Sequence, residues 1–219
     1  MTRAKFSSAG SPLSGSDVKQ AIIAGGVIGI VRTTDAERAV ELARQVWRAG
    51  VGVVEVAMTT PGALSAIESL SSELDQHRVI GAGTVLDAAS ARLAVLAGAR
   101  LLVTPTLVED VIEVGQRYDV ATVIGGSSPT ELLRATTLGA DLVKVFPASL
   151  WSPKILADVL QALPQLECVP TGGVSPDDAA GWIDAGAVAV GIGSGLTKGD
   201  DPATRVRTLL QAIQRARAQ

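Results

Sequence analysis

The sequence predicts an α/β fold, a single (β/α)8 (TIM) barrel with a short N-terminal helix/arm. Three observations predict it. Short β-branched runs alternate with longer Ala- and Leu-rich runs. The apolar runs number eight and begin about 20–25 residues apart, the length of one strand, one helix and two loops. The chain has 219 residues, within the usual range of one such barrel. Hydrophobic residues make up 47% of the chain and aromatics only 3%, which suits a core of Ala, Val, Leu and Ile in parallel strands covered by helices.

Taken in order, residues 1–16 are rich in Ser and Gly and are expected to form a flexible arm, with the barrel domain over 17–219. The arm has no apolar stretch of the kind a signal peptide needs. The strand-like runs are VIGIVR (27–32), VGVVEVA (51–57), RVIGAGT (78–84), RLLVTP (100–105), VATVIGG (120–126), DLVKVFP (141–147), ECVPTGG (167–173) and AVAVGIG (187–193). Between them lie helical segments such as 35–50, with Ala39, Leu42, Ala43 and Val46 on one face. Several units end in glycine, at Gly50, Gly98, Gly139 and Gly186, where a left-handed residue turns a helix into the next strand. Helix starts are marked at Thr34-Asp35, Thr60-Pro61, Ser128-Pro129 and Ser175-Pro176.

Composition also excludes function classes. The net charge is −3 with both signs dispersed and no basic stripe, which argues against nucleic acid as a partner. No apolar run approaches the length of a membrane span, so no membrane is expected. One cysteine, Cys168, allows no intrachain disulfide, and a cytoplasmic protein is the simplest reading. One histidine, His77, leaves no His-rich metal site and little room for a Ser-His-Asp triad. His77 precedes the third strand and reads as an exposed loop residue. Cys168, Trp47 and Trp182 read as packing groups.

Buried parallel strands should be nearly all apolar, so charges within them need a reason. Two stand out, Glu55 in VVEVA and Lys144 in LVKVF. Strand alternation puts Val54 and Val56 towards the helices and Glu55 into the barrel with Val53 and Ala57. It likewise puts Val143 and Val145 outward and Lys144 inward with Leu142 and Phe146. Both charges fall near the C-terminal ends of their strands, where barrel active sites lie. A desolvated lysine loses its proton more readily, and the neutral amine can attack a ketone to form an iminium. A nearby carboxylate can shuttle protons. The competing structural reading is a buried Lys–Glu ion pair that only fixes the core.

Two glycine loops follow the last strands, TGGVS (171–175) and GIGSG (191–195). Barrel enzymes commonly hold phosphate there, and glycine lets the backbone approach an oxyanion closely. Simple turn chemistry is the plainer alternative. GAGT (81–84) ends the third strand, where Thr84 either donates a hydroxyl hydrogen bond at the mouth or caps the next helix. Arg32 ends the first strand, as a carboxylate binder or a solvated surface residue.

IGAGTVL (80–86), the glutamate of VVEVA, VTPTL (103–107), SPTEL (128–132), LVKVFPAS (142–149) and VPTGGVSPDD (169–178) together closely resemble the 2-keto-3-deoxy-6-phosphogluconate / 4-hydroxy-2-oxoglutarate (KDPG/KHG) aldolase family, from about residue 18 onward. The resemblance implies a class I, metal-independent lyase without cofactor, assembled as a homotrimer and acting on a phosphorylated 2-keto acid to give pyruvate. It implies that Lys144 is the Schiff-base lysine and Glu55 the general acid/base. It places Arg32, Thr84, Thr59, Pro105, Phe146 and Thr171 beside the substrate, and Gly172, Gly173, Gly193 and Ser194 at the phosphate. Two positions depart from the family pattern: Thr59 stands where many members carry arginine, and Ile124 where proline is common. The segment LWSPKIL (150–156) resembles the galactonate-phosphate branch as much as the gluconate one. The alternatives are a 4-hydroxy-2-oxoglutarate aldolase, a phosphate-binding barrel isomerase, and a non-catalytic oligomeric barrel.

Overall fold

Alternating β-branched residues produce eight short parallel strands in the computed structural model, which describes residues 13–75, 77–197 and 201–218. They are β1 (Val27–Val31), β2 (Val53–Ala57), β3 (Val79–Gly83), β4 (Leu101–Val103), β5 (Ala121–Gly126), β6 (Leu142–Val145), β7 (Cys168–Pro170) and β8 (Val190–Ile192). Each lies within one of the eight apolar runs. Neighbours pair in chain order and β1 pairs with β8. The remaining gap, between β7 and β8, is bridged at Thr171 and Gly191, so the barrel is nearly closed.

The helices are α1 (Gly15–Gly25), α2 (Ala36–Ala49), α3 (Ala63–Ser71), α4 (Ala88–Leu96), α5 (Glu109–Tyr118), α6 (Pro129–Thr137), α7 (Pro153–Ala162), α8 (Ala179–Asp184) and α9 (Pro202–Arg217). Asp35 and Ser128 cap α2 and α6 as their sequences predict. Two expected starts shift. α3 begins after Gly62 because Thr60 to Ala63 forms its own turn, with the Ala63 N–H bonded to the Thr60 carbonyl. α8 begins after Asp178 because Ser175 and Asp178 exchange side-chain and backbone bonds that delay the helix. At the N-terminus, Ser14 and Asp17 form a capping box and Gly15 opens α1, so residues 15 and 16 belong to a helix and not to an arm. Residues 1–12 of the expected arm lie outside the described residues. Among the described residues, no helix is long and apolar enough to cross a membrane.

Strand alternation divides the core in two. Val54, Val56, Val143 and Val145 pack outward against the helices. Ile28, Val53, Val79, Leu101, Val123, Leu142 and Val169 fill the barrel, and Val18 and Ile22 of α1 join them to close its N-terminal end. Arg217 of α9 locks that end, donating to the Ala24 and Val188 carbonyls at 2.7 and 2.8 Å and to the Ile23 carbonyl. Above the apolar layers the inward positions carry Glu55, Lys144 and Thr171 among Gly83, Gly125 and Gly191. With so little side-chain volume there, the C-terminal end stays open.

Candidate active site

The open end is a cleft of about 620 Å³ whose wall includes Glu55, Lys144, Arg32, Phe146 and Thr171. β2 and β6 present the two charges from opposite sides of the barrel. Glu55 is 2% exposed and Lys144 5%, yet neither joins an ion pair at N–O separations of 4.0 Å or less among the described residues. Glu55 Oε2 is buried without a hydrogen-bond partner. Leaving a buried acceptor unpaired costs about 1–3 kcal/mol, so this arrangement is not one that stability alone favours. Burial pushes the Glu55 carboxyl above its usual range, against the opposing pull of Lys144 and Arg32. Burial pushes the Lys144 amine down; Glu55 opposes this and Arg32 adds to it. Burial thus disfavours the charged form of each group, and no contact-range ion pair links the two.

Arg32 sits exposed at the rim, just past β1, and its Nη2 donates to Thr84 Oγ1 at 3.1 Å. Thr84 has φ 58°, a left-handed backbone that a β-branched residue rarely adopts. Such a residue stores about 1–3 kcal/mol, and such strain gathers at functional sites. Thr84 does not cap α4; Asp87 does. Lys144 Nζ lies 5.0 Å from the Phe146 ring centre.

The two glycine loops line the far wall of the cleft through Gly172, Gly173, Gly193 and Ser194. Gly172 has φ 83°, and a Cβ there would come within 2.8 Å of the Phe146 ring, so only glycine fits. Ser194 opens a short 3-10 turn, Ser194–Leu196. Three expected residues stand off the wall, Thr84 among them, which meets it through its bond from Arg32. Thr59 is exposed in the β2–α3 turn, and Pro105 is half-buried with its carbonyl against Gly125. Among the described residues no three His, Cys, Asp or Glu cluster so as to hold a metal ion.

A family model described as aldolase, KDPG and KHG aldolase, matches residues 18–206, nearly all of the barrel. The chain belongs to the KDPG and KHG aldolase family. It is 29% identical over 191 residues to a 2-dehydro-3-deoxy-6-phosphogalactonate aldolase of Escherichia coli, covering 87% of this chain and 93% of that one. It is 30% identical over 177 residues to a 2-dehydro-3-deoxy-phosphogluconate aldolase of Pseudoalteromonas atlantica, covering 80% and 82%. Among solved structures it is similar to the KDPG aldolase of Legionella pneumophila, with pyruvate captured at low pH as a covalent carbinolamine intermediate. That match has TM-score 0.75 and 25% identity, and covers 90% of this chain and 97% of that chain.

The structure of this aldolase gives two residues places at the site that the sequence did not assign them. Leu42 of α2, assigned from its periodicity to a core face, is half-buried and reaches the cleft. Thr60 is 2% exposed, and its Oγ1 accepts from the Thr33 N–H at 3.3 Å, tying down the loop that carries Arg32. A buried threonine beside a proline reads as a helix start in sequence, and only the tertiary partner distinguishes the two.

The charges around Lys144 predict shifts of opposite sign in this aldolase. An amine at Lys144 that attacked a ketone would do so only when neutral, so imine formation on it would fall as pH dropped through the Lys144 pKa. Arg32 lowers that pKa and Glu55 raises it. Arg32→Gln is therefore expected to move the acid limb to higher pH, and Glu55→Gln to lower pH, in the rate of imine formation with pyruvate. Shifts in the same direction would contradict this electrostatic arrangement.

Proposed function

We propose that this aldolase cleaves a 2-keto-3-deoxy-6-phosphoaldonate of gluconate or galactonate configuration to pyruvate and glyceraldehyde 3-phosphate, through a Schiff base at Lys144. The observation that carries the reading is the buried, unpaired Lys144 amine in the same cleft as an equally buried Glu55. The Legionella aldolase, which holds pyruvate as a carbinolamine, supplies the species that precedes an imine.

In the proposed mechanism the neutral amine adds to the C2 ketone while Arg32 and Thr84 orient the C1 carboxylate. Glu55, having taken up the proton that the amine sheds, gives it to the departing hydroxyl, and water leaves. The iminium now carries a fixed positive charge, which favours the Glu55 carboxylate beside it. That carboxylate takes the C4 hydroxyl proton. The C3–C4 bond breaks, its electrons pass to the iminium as an enamine, and the aldehyde leaves. Glu55 returns the proton to C3, and water adds to the iminium, releasing pyruvate and leaving its extra proton on the Lys144 amine. No metal or cofactor takes part.

The glycine loops are proposed to hold the phosphate. A Cβ at Gly193 would meet nothing closer than the Ile30 carbonyl at 3.7 Å, whereas Gly173 has φ 101° and a Cβ there would meet Ser149 at 2.9 Å. Gly193→Val therefore fills the cleft with less disturbance of the turn. It is expected to raise KM for the phosphorylated substrate on the order of 10–100-fold, the worth of a lost charge-assisted hydrogen bond. 4-Hydroxy-2-oxoglutarate, which has no phosphate, should lose much less. Equal losses would reduce the loops to turn chemistry. A wild type that prefers the unphosphorylated acid would replace this reading with a hydroxyoxoglutarate aldolase.

A further inference from the structure

Gly83 ends β3, paired in register with Ala57 at the end of β2, two residues beyond Glu55. It is buried. A Cβ built on it would lie 2.5 Å from Glu55 Oε1, 2.6 Å from Cδ and 3.0 Å from Oε2. Ordinary carbon contacts are about 3.5–4.0 Å, so the carboxyl group occupies the space that a side chain at this position would fill. Neither its backbone angle nor its hydrogen bond requires glycine at this position. Its φ is not among the positive ones, and its carbonyl accepts from the Met58 N–H at 2.7 Å, a bond any residue could make. The surface it offers the carboxyl carries no donor, in keeping with the unpartnered Oε2.

We infer that Gly83 is a positioning residue for the reaction, holding the Glu55 carboxyl against the barrel wall, clear of other donors, so that it faces the substrate carbons. The inference rests on the proposed role of Glu55. A methyl group at position 83 displaces the carboxyl from the wall into the cleft, leaving Lys144 and Arg32 in place. The step that suffers is proton transfer, not substrate capture.

The test is Gly83→Ala in the wild type and in a Glu55→Gln background. Gly83→Ala is expected to lower kcat about 10²-fold, the lower end of what a general acid/base supplies. KM should hold within about threefold, and pyruvate with borohydride should still label one lysine per chain. In the Glu55→Gln background the same change is expected to cost less than about threefold, because sites that act through one another are not additive. Undiminished kcat in Gly83→Ala, or a full additional loss in the Glu55→Gln background, overturns the inference. Should the alanine variant fail to fold, infrared difference spectra of the wild type decide instead. The carboxyl band of Glu55, acid C=O or carboxylate stretch, identified by its loss in Glu55→Gln, is expected at the frequency of a group without a donor, and a strongly hydrogen-bonded band overturns the inference. A wild type with no trappable imine contradicts the Schiff-base reading alone. A wild type that traps pyruvate beside a fully active Gly83→Ala contradicts the Gly83 inference alone.

Discussion

Lys144→Arg is expected to abolish turnover, a loss on the order of 10⁴–10⁶-fold, as when a covalent enzyme loses its nucleophile. Arginine keeps the positive charge and much of the length, but its guanidinium stays protonated in a protein and cannot attack a ketone. A role as a mere counter-charge to Glu55 would survive the change in good part, so the substitution separates chemistry from charge. Lys144→Met supplies the control for folding. It removes an amine whose burial is costly, and at neutral pH the variant is expected to unfold at a temperature at least as high as the wild type. Inactivity in a chain that remains folded then belongs to the chemistry. Steady-state cleavage of the phosphorylated keto acid and a thermal melt check both. More than a tenth of wild-type activity in Lys144→Arg would remove Lys144 from the mechanism.

Glu55→Gln is expected to lose about 10²–10⁴-fold in kcat, the usual contribution of a positioned general acid/base. Glutamine fills the same volume against Gly83 but neither gives nor takes the proton that the carbinolamine and the C4 hydroxyl require. Imine capture should continue, more slowly, because the amine stays buried and loses the carboxylate that raises its pKa. A near-wild-type rate would return Glu55 to a structural role, and the unpartnered Oε2 would then have no account.

The features of the barrel that follow local rules were legible in the sequence. The inward direction of Glu55 and Lys144 follows from a period of two, and the two core clusters separate along the same line. The caps at Asp35 and Ser128 follow from side-chain chemistry within three residues. Features set by contacts across the barrel were not legible. The motif GAGT draws attention to Thr84, yet what Gly83 does depends on a carboxyl delivered by the neighbouring strand. Thr84 has a left-handed backbone and takes a bond on its hydroxyl from Arg32, just past a different strand, and nothing local predicts either. Thr60-Pro61 and Ser175-Pro176 resemble helix starts because capping and turn formation use the same residue types. Leu42 fits the core face of α2 by periodicity, and only the position of that helix at the barrel rim puts its side chain into the cleft.

The proposed reaction runs through an imine on Lys144. The measurement that tests it most directly is borohydride reduction in the presence of pyruvate, followed by mass analysis of the intact chain and its peptides. The account predicts one reduced pyruvyl group per chain, on the peptide containing Lys144, and no labelling in Lys144→Arg. Lys154 is exposed and paired with Asp158, and Lys19 is paired with Glu167, so neither has the desolvated, unpaired amine the chemistry needs. Label on Lys154, Lys19 or Lys198 in place of Lys144, or a chain that turns over substrate yet takes no label, would contradict the account.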